Sequence, residues 1–274
     1  MESIKINNAM YIGANDRKAL VDLEIPKHFN EKIILFAHGF MGFKDWGCWN
    51  LMQAYFVKQG FGFCKYNVSH NGTTIDKPKD FVDLEAFSKN NYSNELNDLH
   101  AAIKFIEEKI EGEYQLILLG HSRGGGIVIL GANQPKVVKI ITLAAISSIE
   151  ERFPNEEKLL EWKEKGFYTV RNNRTQQDLP ISFLQYEDFQ MNKKKLNIQL
   201  ACEKLDKPVL IIHGNKDESV SINEGLKLSD WLSVPLTIID GANHTFGASH
   251  PCTANQLPNH LLISLEKIID FIHD

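Results

Sequence analysis

The chain has 274 residues, of which 43% are hydrophobic and 24% are charged, and its formal net charge is −5. This composition is typical of a globular protein with a large core, and without a basic patch it argues against nucleic acid as a partner. There is no secretory signal pattern, no apolar stretch long enough to span a membrane and no C-x-x-C pair among four scattered cysteines. These features predict a reduced, cytoplasmic protein without a zinc site or a disulfide framework.

Short apolar runs alternate with helical patterns along most of the chain. The runs predict eight strands, at 3–6, 19–25, 32–37, 62–66, 115–119, 138–143, 208–212 and 236–239. Apolar residues at helical spacing predict helices at 46–59, 92–110, 122–132, 220–231 and 257–272. Strands that alternate with helices in this way predict an α/β fold with a mostly parallel eight-stranded sheet and helices on both faces.

One segment, residues 147–205, contains no convincing strand of this sheet and is rich in charged and aromatic residues. An insertion of this length between two strands is usually a lid or a cap. We therefore expect a core domain formed by residues 1–146 and 206–274, with a helical cap at 147–205. A peripheral helical decoration without a functional role is the alternative.

The stretch LILLGHSRGGGIVIL, residues 116–130, places Ser122 between two glycines, directly after a predicted strand and at the start of a helix. This is the context of a nucleophile elbow, in which Gly120 and Gly124 avoid side-chain clashes in the tight turn. A serine hydroxyl needs a base to accept its proton, and the base is normally a histidine that a carboxylate orients.

Both partners of such a serine follow later strands, in the chain order Ser, Asp, His that this architecture uses. Asp217 comes after the strand at 208–212, and His244 comes just after the strand at 236–239. We therefore predict a triad of Ser122, Asp217 and His244. Four less favoured candidates remain: Glu150, Glu151 and Asp240 as the acid, and His250 as the base. His121, next to the nucleophile, is expected to pack beneath the turn.

Acyl transfer also needs N–H donors for the oxyanion that develops in the transition state. The backbone N–H of Arg123, after the nucleophile, is one predicted donor. The other is the N–H of Phe40 in the loop after the strand at 32–37, where Gly39 permits a close approach of the backbone. His38 is then expected to be structural and to bond to the backbone of this loop.

Four motifs together resemble the α/β-hydrolase superfamily: H-G-F at 38–40, G-H-S-R-G at 120–124, H-G-N-K-D at 213–217 and N-H-T-F at 243–246. The resemblance covers about residues 30–272 and extends to bacterial feruloyl/cinnamoyl-esterase and dienelactone-hydrolase-like groups. A dienelactone hydrolase proper would have cysteine as its nucleophile, so Ser122 favours an ordinary carboxylesterase. The loop at 67–72 departs from the more usual Arg-Gly-x-Gly-x-Ser type.

The resemblance implies a serine hydrolase that cleaves carboxylic esters through an acyl-enzyme intermediate, without a cofactor or a metal. Aromatic residues of the 147–205 segment favour an apolar or aromatic acyl group, although they could equally serve only to pack the cap on the body. The expected partner is a small-molecule ester, and the oligomeric state is left open. Thioesterase, acyltransferase and peptidase activities of the same triad are alternatives, and a non-catalytic binding protein is a further one.

Overall fold

A computed structural model describes residues 2–274 and contains one large sheet and one small sheet. The large sheet has eight strands in the order β1-β2-β4-β3-β5-β6-β9-β10. These strands are β1 Ile4–Ile12, β2 Lys18–Ile25, β3 Lys32–Ala37, β4 Gly62–Tyr66, β5 Gln115–His121, β6 Val137–Leu143, β9 Val209–Gly214 and β10 Leu236–Ile239. The six strands from β4 to β10 pair in parallel, while β1 and β2 add an antiparallel edge.

Both faces of this sheet are buried, because successive residues of one strand enter different apolar clusters. In β3, Ile33 and Leu35 belong to one cluster, whereas Ile34 and Phe36 belong to the other. This two-sided burial explains why the strand is a continuous apolar run in the sequence. The predicted mostly parallel eight-stranded sheet with flanking helices is confirmed. The first strand is longer than the predicted 3–6.

Nine α-helices are present among residues 2–274, and most of them cover the two faces of the large sheet. Their bounds are α1 Trp49–Lys58, α2 Leu84–Lys89, α3 Tyr92–Lys109, α4 Arg123–Leu130, α5 Glu156–Lys165, α6 Leu184–Met191, α7 Ile198–Glu203, α8 Ile222–Leu232 and α9 Asn259–His273. Apolar residues of α3, α4 and α8 lie in one cluster, and those of α1 and α9 lie in the other.

The 147–205 segment is not purely helical, contrary to the sequence-based expectation. Between α5 and α6 it contains an antiparallel hairpin, β7 Phe167–Asn172 and β8 Gln177–Ser182, which forms the small sheet. Pro180 within β8 and the exposure of β7 weakened the strand pattern in the sequence. Trp162 of α5 is 2% exposed, and its Nε1 donates a hydrogen bond to the carbonyl oxygen of Ile181 at 3.0 Å.

A third apolar cluster joins this hairpin and α5 to the segments that follow β3 and β4. Its buried side chains are Phe43, Phe81 and Phe87 from those segments, Trp162 from α5, and Leu179 and Ile181 from β8. Ile198 of α7, by contrast, lies in the core cluster of the large sheet. The division into a core at 1–146 and 206–274 and a cap at 147–205 stays a prediction.

Candidate active site

Ser122 lies in a strained turn between β5 and α4. Its backbone has φ 57° and ψ −121°, in a region that residues other than glycine rarely adopt. Its N–H donates to the carbonyl oxygen of Leu143 at 2.9 Å, which ties the turn to β6. A Cβ atom at Gly120 would collide with the backbone of Gly124, and one at Gly124 would collide with the backbone of Ala37. The two glycines are therefore required for the sharp turn that presents the Ser122 side chain.

His244 lies within hydrogen-bond distance of this serine, and Asp217 lies within hydrogen-bond distance of His244. The Nε2 atom of His244 is 3.0 Å from Ser122 Oγ, and its Nδ1 atom is 2.8 Å from Oδ2 of Asp217. A carboxylate only accepts hydrogen bonds, so Nδ1 carries the proton and Nε2 is free to accept the Ser122 hydroxyl proton. The structure thus brings together the three residues that the strand-end pattern singled out.

Asp217 is held as a carboxylate, although its side chain has no solvent exposure. Its Oδ1 accepts the N–H groups of Ser219 and Val220, each at 2.9 Å. Burial alone would raise the pKa of Asp217, but hydrogen bonds from His213, His244 and the Val220 N–H bring the pKa well below its usual range. The aspartate is therefore ionised and can stabilise an imidazolium at His244.

His213 is a partner of Asp217 that the sequence analysis did not assign. Its Nε2 lies 3.3 Å from Oδ2 of Asp217 and donates to the carbonyl oxygen of Val220 at 2.9 Å. The side chain is completely buried. The H-G-N-K-D motif contained the signal, since its histidine lies four residues before the aspartate, next to the last residue of β9.

The loop after β3 approaches Ser122 closely, as expected. A Cβ atom at Gly39 would lie 2.9 Å from Cβ of Ser122. The Phe40 N–H has no hydrogen-bond partner among residues 2–274, and Arg123 opens α4, where the first N–H groups lack intrahelical acceptors. Two unpaired donors thus border the Ser122 side chain.

His38 holds the loop in this shape. Its Nδ1 donates to the carbonyl oxygen of Gly39 at 2.9 Å, and its Nε2 accepts the N–H of Val68 at 3.1 Å. Burial lowers the pKa of His38 to about 4, so the ring is neutral at pH 7, as this pair of bonds requires. The expected structural role of His38 is confirmed.

A buried cluster of four charges includes Lys44 and Asp45 of the same loop, and no pattern in the sequence indicated it. Lys44 Nζ lies 2.7 Å from Asp22 and 2.7 Å from Asp45, and Lys65 Nζ lies 2.7 Å from Asp22 and also contacts Asp45. Two positive and two negative groups balance, which is the condition for burying charges at tolerable free energy. We refer to these four residues as the buried ion cluster.

The Arg123 side chain has a separate role from its backbone N–H. Its Nη1 donates to Oε1 of Glu95 at 3.0 Å, and its guanidinium lies 4.2 Å from the ring centroid of Phe40. The side chain thus links the beginning of α4 to the loop after β3 by an ion pair and a cation–π contact. Sequence reasoning missed this link.

The alternatives considered from the sequence bond to other groups. These contacts are Glu150 with Lys193, Glu151 with Lys227, Asp240 with Asn215 and His250 with the Gly47 N–H. His121 packs under the turn, as expected, and its Nε2 donates to the carbonyl oxygen of His244 at 2.9 Å. Burial, followed by the neighbouring His244, lowers the pKa of His121 to about 3, so it does not act as a cation at this position.

Two recesses meet at Ser122 and His244. The first, of about 380 Å³, lies beneath the hairpin and is lined by apolar and aromatic side chains that include Tyr92, Ile146, Tyr168 and Ile181. The second, of about 330 Å³, lies between Trp46 and Trp49 on one side and the turn of the hairpin, residues 171–174, on the other. Both volumes are in the range of small-molecule sites.

Two further properties of the described residues concern membranes and metal ions. Within residues 2–274, no helix has the length and apolar character needed to cross a membrane. Over the same residues, no group of three or more His, Cys, Asp or Glu side chains is arranged to hold a metal ion.

The comparisons with known proteins agree with this architecture. A family model described as serine aminopeptidase, S33, matches residues 29–196, whereas the curated proteins provide no match. Est1E from Butyrivibrio proteoclasticus with bound ferulic acid is 20% identical, with a TM-score of 0.72, over 97% of this chain and 100% of that chain. Alpha/beta hydrolase domain-containing protein 10 from mouse is 18% identical, with a TM-score of 0.68, over 99% of this chain and 100% of that chain.

A peptidase is also among the similar structures. The acylaminoacyl peptidase from Pyrococcus horikoshii is 15% identical, with a TM-score of 0.64, over 99% of this chain and 41% of that chain. Likenesses at this level of identity show the fold alone. The family model, however, covers more than half of the chain. The protein therefore belongs to the serine aminopeptidase S33 family of α/β-hydrolases.

Proposed function

We propose that this hydrolase cleaves carboxylic esters with Ser122 as nucleophile, His244 as general base and acid, and Asp217 as the residue that orients His244. One observation carries the proposal: an unbroken chain of hydrogen bonds runs from Ser122 Oγ through His244 to the ionised Asp217. Nucleophile, base and orienting group within hydrogen-bond distance are the requirement for nucleophilic catalysis by serine.

In the acylation step, His244 Nε2 takes the proton of Ser122 as Oγ attacks the ester carbonyl carbon. The imidazolium that forms lies 2.8 Å from the Asp217 carboxylate, which stabilises it. The carbonyl oxygen becomes an oxyanion and accepts the N–H groups of Phe40 and Arg123. Loss of one such donor typically costs about 2.7–4 kcal/mol of transition-state stabilisation.

The tetrahedral intermediate collapses when His244 gives its proton to the leaving alcohol. A water molecule then takes the place of the alcohol, loses a proton to His244 Nε2 and attacks the acyl-enzyme. The second collapse returns the proton to Ser122 Oγ and releases the acid. Each proton transfer uses the same nitrogen, so His244 must be neutral when acylation begins and again when deacylation begins.

The first recess is proposed to hold a small or medium acyl group of apolar or aromatic character. Its lining by Tyr92, Ile146, Tyr168 and Ile181 supports this choice, since apolar surface favours apolar ligands. The ferulic acid bound to Est1E is an aromatic acid, and that protein has a similar fold. The proposed cap segment supplies two of these four side chains.

A peptidase is the second candidate, because the matching family model is described as a serine aminopeptidase. An aminopeptidase must bind the free amino terminus of its substrate, and an acidic side chain commonly serves that purpose. Neither recess is lined by an aspartate or a glutamate among the described residues. This observation favours the ester over the peptide.

The first experiment is intact mass spectrometry after incubation with a fluorophosphonate. We expect one adduct on the wild-type protein and none on Ser122→Ala, which should retain its fold by circular dichroism. A folded wild-type protein that stays unlabelled would contradict the proposal and favour a non-catalytic binding protein.

Substrate classes are then compared on unlabelled wild-type protein from a preparation that reacts with the fluorophosphonate. We expect turnover of p-nitrophenyl acetate, butyrate and octanoate to exceed that of an acyl-CoA and of aminoacyl p-nitroanilides. Faster cleavage of the anilides would establish the peptidase instead, and faster cleavage of the acyl-CoA would establish a thioesterase. Acyl transfer to an added alcohol in preference to water would establish an acyltransferase.

A further inference from the structure

The charged side chains that line the cleft around Ser122 are all positive, although the whole protein is negative. The chain has a formal net charge of −5, but the two recesses are lined by four arginines, Arg123, Arg152, Arg171 and Arg174, and by no aspartate or glutamate among the described residues. Clefts lined by one sign of charge attract ligands of the other sign.

Three of these arginines already have carboxylate partners. Arg123 pairs with Glu95 at 3.0 Å, Arg152 pairs with Glu224, and Arg171 pairs with Asp178 at 3.0 Å. Arg174 forms no ion pair with any residue from 2 to 274. One cation of the cleft therefore has no balancing charge in direct contact.

The turn that presents Arg174 is anchored to the body of the protein. The buried Asn172 accepts the Arg174 N–H at 3.1 Å through its Oδ1 atom. Beyond the turn, Gln177 Nε2 donates to the carbonyl oxygen of Phe81 at 3.0 Å. The Arg174 guanidinium lies 5.9 Å from the ring centroid of Phe43.

The surroundings do not fully compensate the charge of Arg174. Burial lowers its pKa, and Asp80, which lies beyond ion-pair distance, counteracts this only in part. Arg174 is an exposed residue, so a negative group bound in the recess can reach its guanidinium and pair with it.

We propose that the second recess binds a carboxylate of the ester substrate through the guanidinium of Arg174, with Arg171 beside it. A single free guanidinium matches the single charge and the planar, two-oxygen shape of a carboxylate, whereas a phosphate dianion would call for a second free cation. This inference rests on the proposed esterase function and adds a substrate class to it: esters with a carboxylate on the acyl or the alcohol side.

Two matched pairs of esters test the proposal and identify whether the bound carboxylate belongs to the acyl group or to the leaving group. Phenyl hemiadipate against phenyl hexanoate places the carboxylate on the acyl group. The butyrate ester of 4-hydroxybenzoate against that of 4-hydroxybenzamide places it on the leaving group. Each pair is measured with the wild type, Arg174→Gln, Arg174→Lys and the double variant Arg171→Gln/Arg174→Gln.

We expect Arg174→Gln to lower kcat/KM for one anionic ester at least about tenfold, the order of effect for losing a charged hydrogen bond. The neutral member of that pair should change less than twofold, Arg174→Lys should restore part of the preference, and 0.5 M salt should weaken it. Lys158→Gln is the control, because it removes an exposed positive charge of the 147–205 segment that lines neither recess at Ser122. Equal effects on the charged and neutral members in both pairs would overturn the proposal.

Calorimetry measures the binding of the same esters to Ser122→Ala, an experiment that needs no turnover. A carboxylate preference that Arg174→Gln abolishes supports the inference even if the wild type hydrolyses none of the four esters. Absence of that preference overturns it. Fluorophosphonate labelling of the wild type decides the proposed function separately, so the two failures are distinguishable.

Discussion

The edge of the large sheet and the β7–β8 hairpin contribute to the same cleft by different physical means. At the sheet edge, the polar groups are buried and paired: Asp217 and His213 have no side-chain exposure, and Asp217 accepts three hydrogen bonds and lies 3.3 Å from His213. In the hairpin, Phe167 is 52% exposed and Arg171 forms an ion pair in which both side chains are open to solvent.

In the proposed mechanism, this difference separates the catalytic groups from the residues that select a substrate. Catalytic groups must hold their positions to within fractions of an ångström, which buried and fully bonded strand ends achieve. Residues that select a substrate need only offer a surface, and exposed loops or hairpins vary at little cost in stability. The following predictions test that separation, from the largest expected effect to the smallest.

Asp217→Asn should lower kcat about 10⁴-fold, because an amide can no longer fix the Nδ1–H tautomer of His244 or stabilise its imidazolium. Stopped-flow hydrolysis of p-nitrophenyl butyrate measures the effect. Asp240→Asn is the matched control, since Asp240 also follows a strand but bonds to Asn215. Equal losses of kcat in both variants would contradict the assignment of Asp217 as the residue that orients His244.

Removing one member of the buried ion cluster should destabilise the body strongly. Lys65 is 1% exposed and joins Asp22 and Asp45, so Lys65→Met leaves two carboxylates with too little positive charge. We expect a loss of about 3–5 kcal/mol in the free energy of unfolding.

The matched control is Lys5→Met, in which the pair with Glu24 at 3.0 Å involves a lysine side chain that is 63% exposed. Its loss should be at most about 1 kcal/mol. Urea unfolding of both variants measures the comparison. Similar losses would show that burial does not decide the value of these charges.

Acid should remove a stabilising contribution of Asp217. Its pKa is lower in the folded protein than the unfolded value of about 3.9. Its contribution is therefore complete above that value and disappears as the pH falls towards the folded-state pKa. We expect the stability difference between wild type and Asp217→Asn to be about 2 kcal/mol at pH 7 and to shrink below about pH 4. Urea unfolding at several pH values tests this, and a constant difference would contradict it.

The smallest effect is expected in the hairpin. Tyr168 lines the first recess and the neighbouring Phe167 does not, because successive strand residues point to opposite faces. Tyr168→Ala should change the ratio of kcat/KM for octanoate and butyrate esters about tenfold, and Phe167→Ala should change it less than twofold. The chain-length series measures both. Equal changes would mean that the hairpin acts on the cleft as a whole.

Much of the fold and of the candidate site could be predicted from the amino-acid sequence. Alternating apolar runs and helical patterns define the large sheet, because burial on both faces produces continuous apolar strands. Polar residues placed directly after such strands identified Ser122, Asp217 and His244, since the carboxyl ends of parallel strands meet at one edge. Glycines at 120 and 124 marked the turn, because no other residue avoids collision there.

Other features depend on contacts between distant parts of the chain, and no local pattern encodes them. The hairpin at 167–182 is held by packing against Phe43 and Phe81 rather than by an alternating pattern of its own. Cys48 and Cys252, 204 residues apart, have their sulfur atoms 3.3 Å apart. Neither the pairing of Lys44 and Lys65 with two aspartates nor the lack of an ion pair for Arg174 within residues 2–274 is visible in the sequence.

The sequence by itself determined the order of the elements and the placement of Ser122, Asp217 and His244 after three strands, because these follow from periodicity and from turn chemistry at adjacent residues. Only the tertiary structure decided how His213, the buried ion cluster and the arginines surround that site. Charges find their partners across the fold, and their free energies depend on burial and distance, which chain order does not specify.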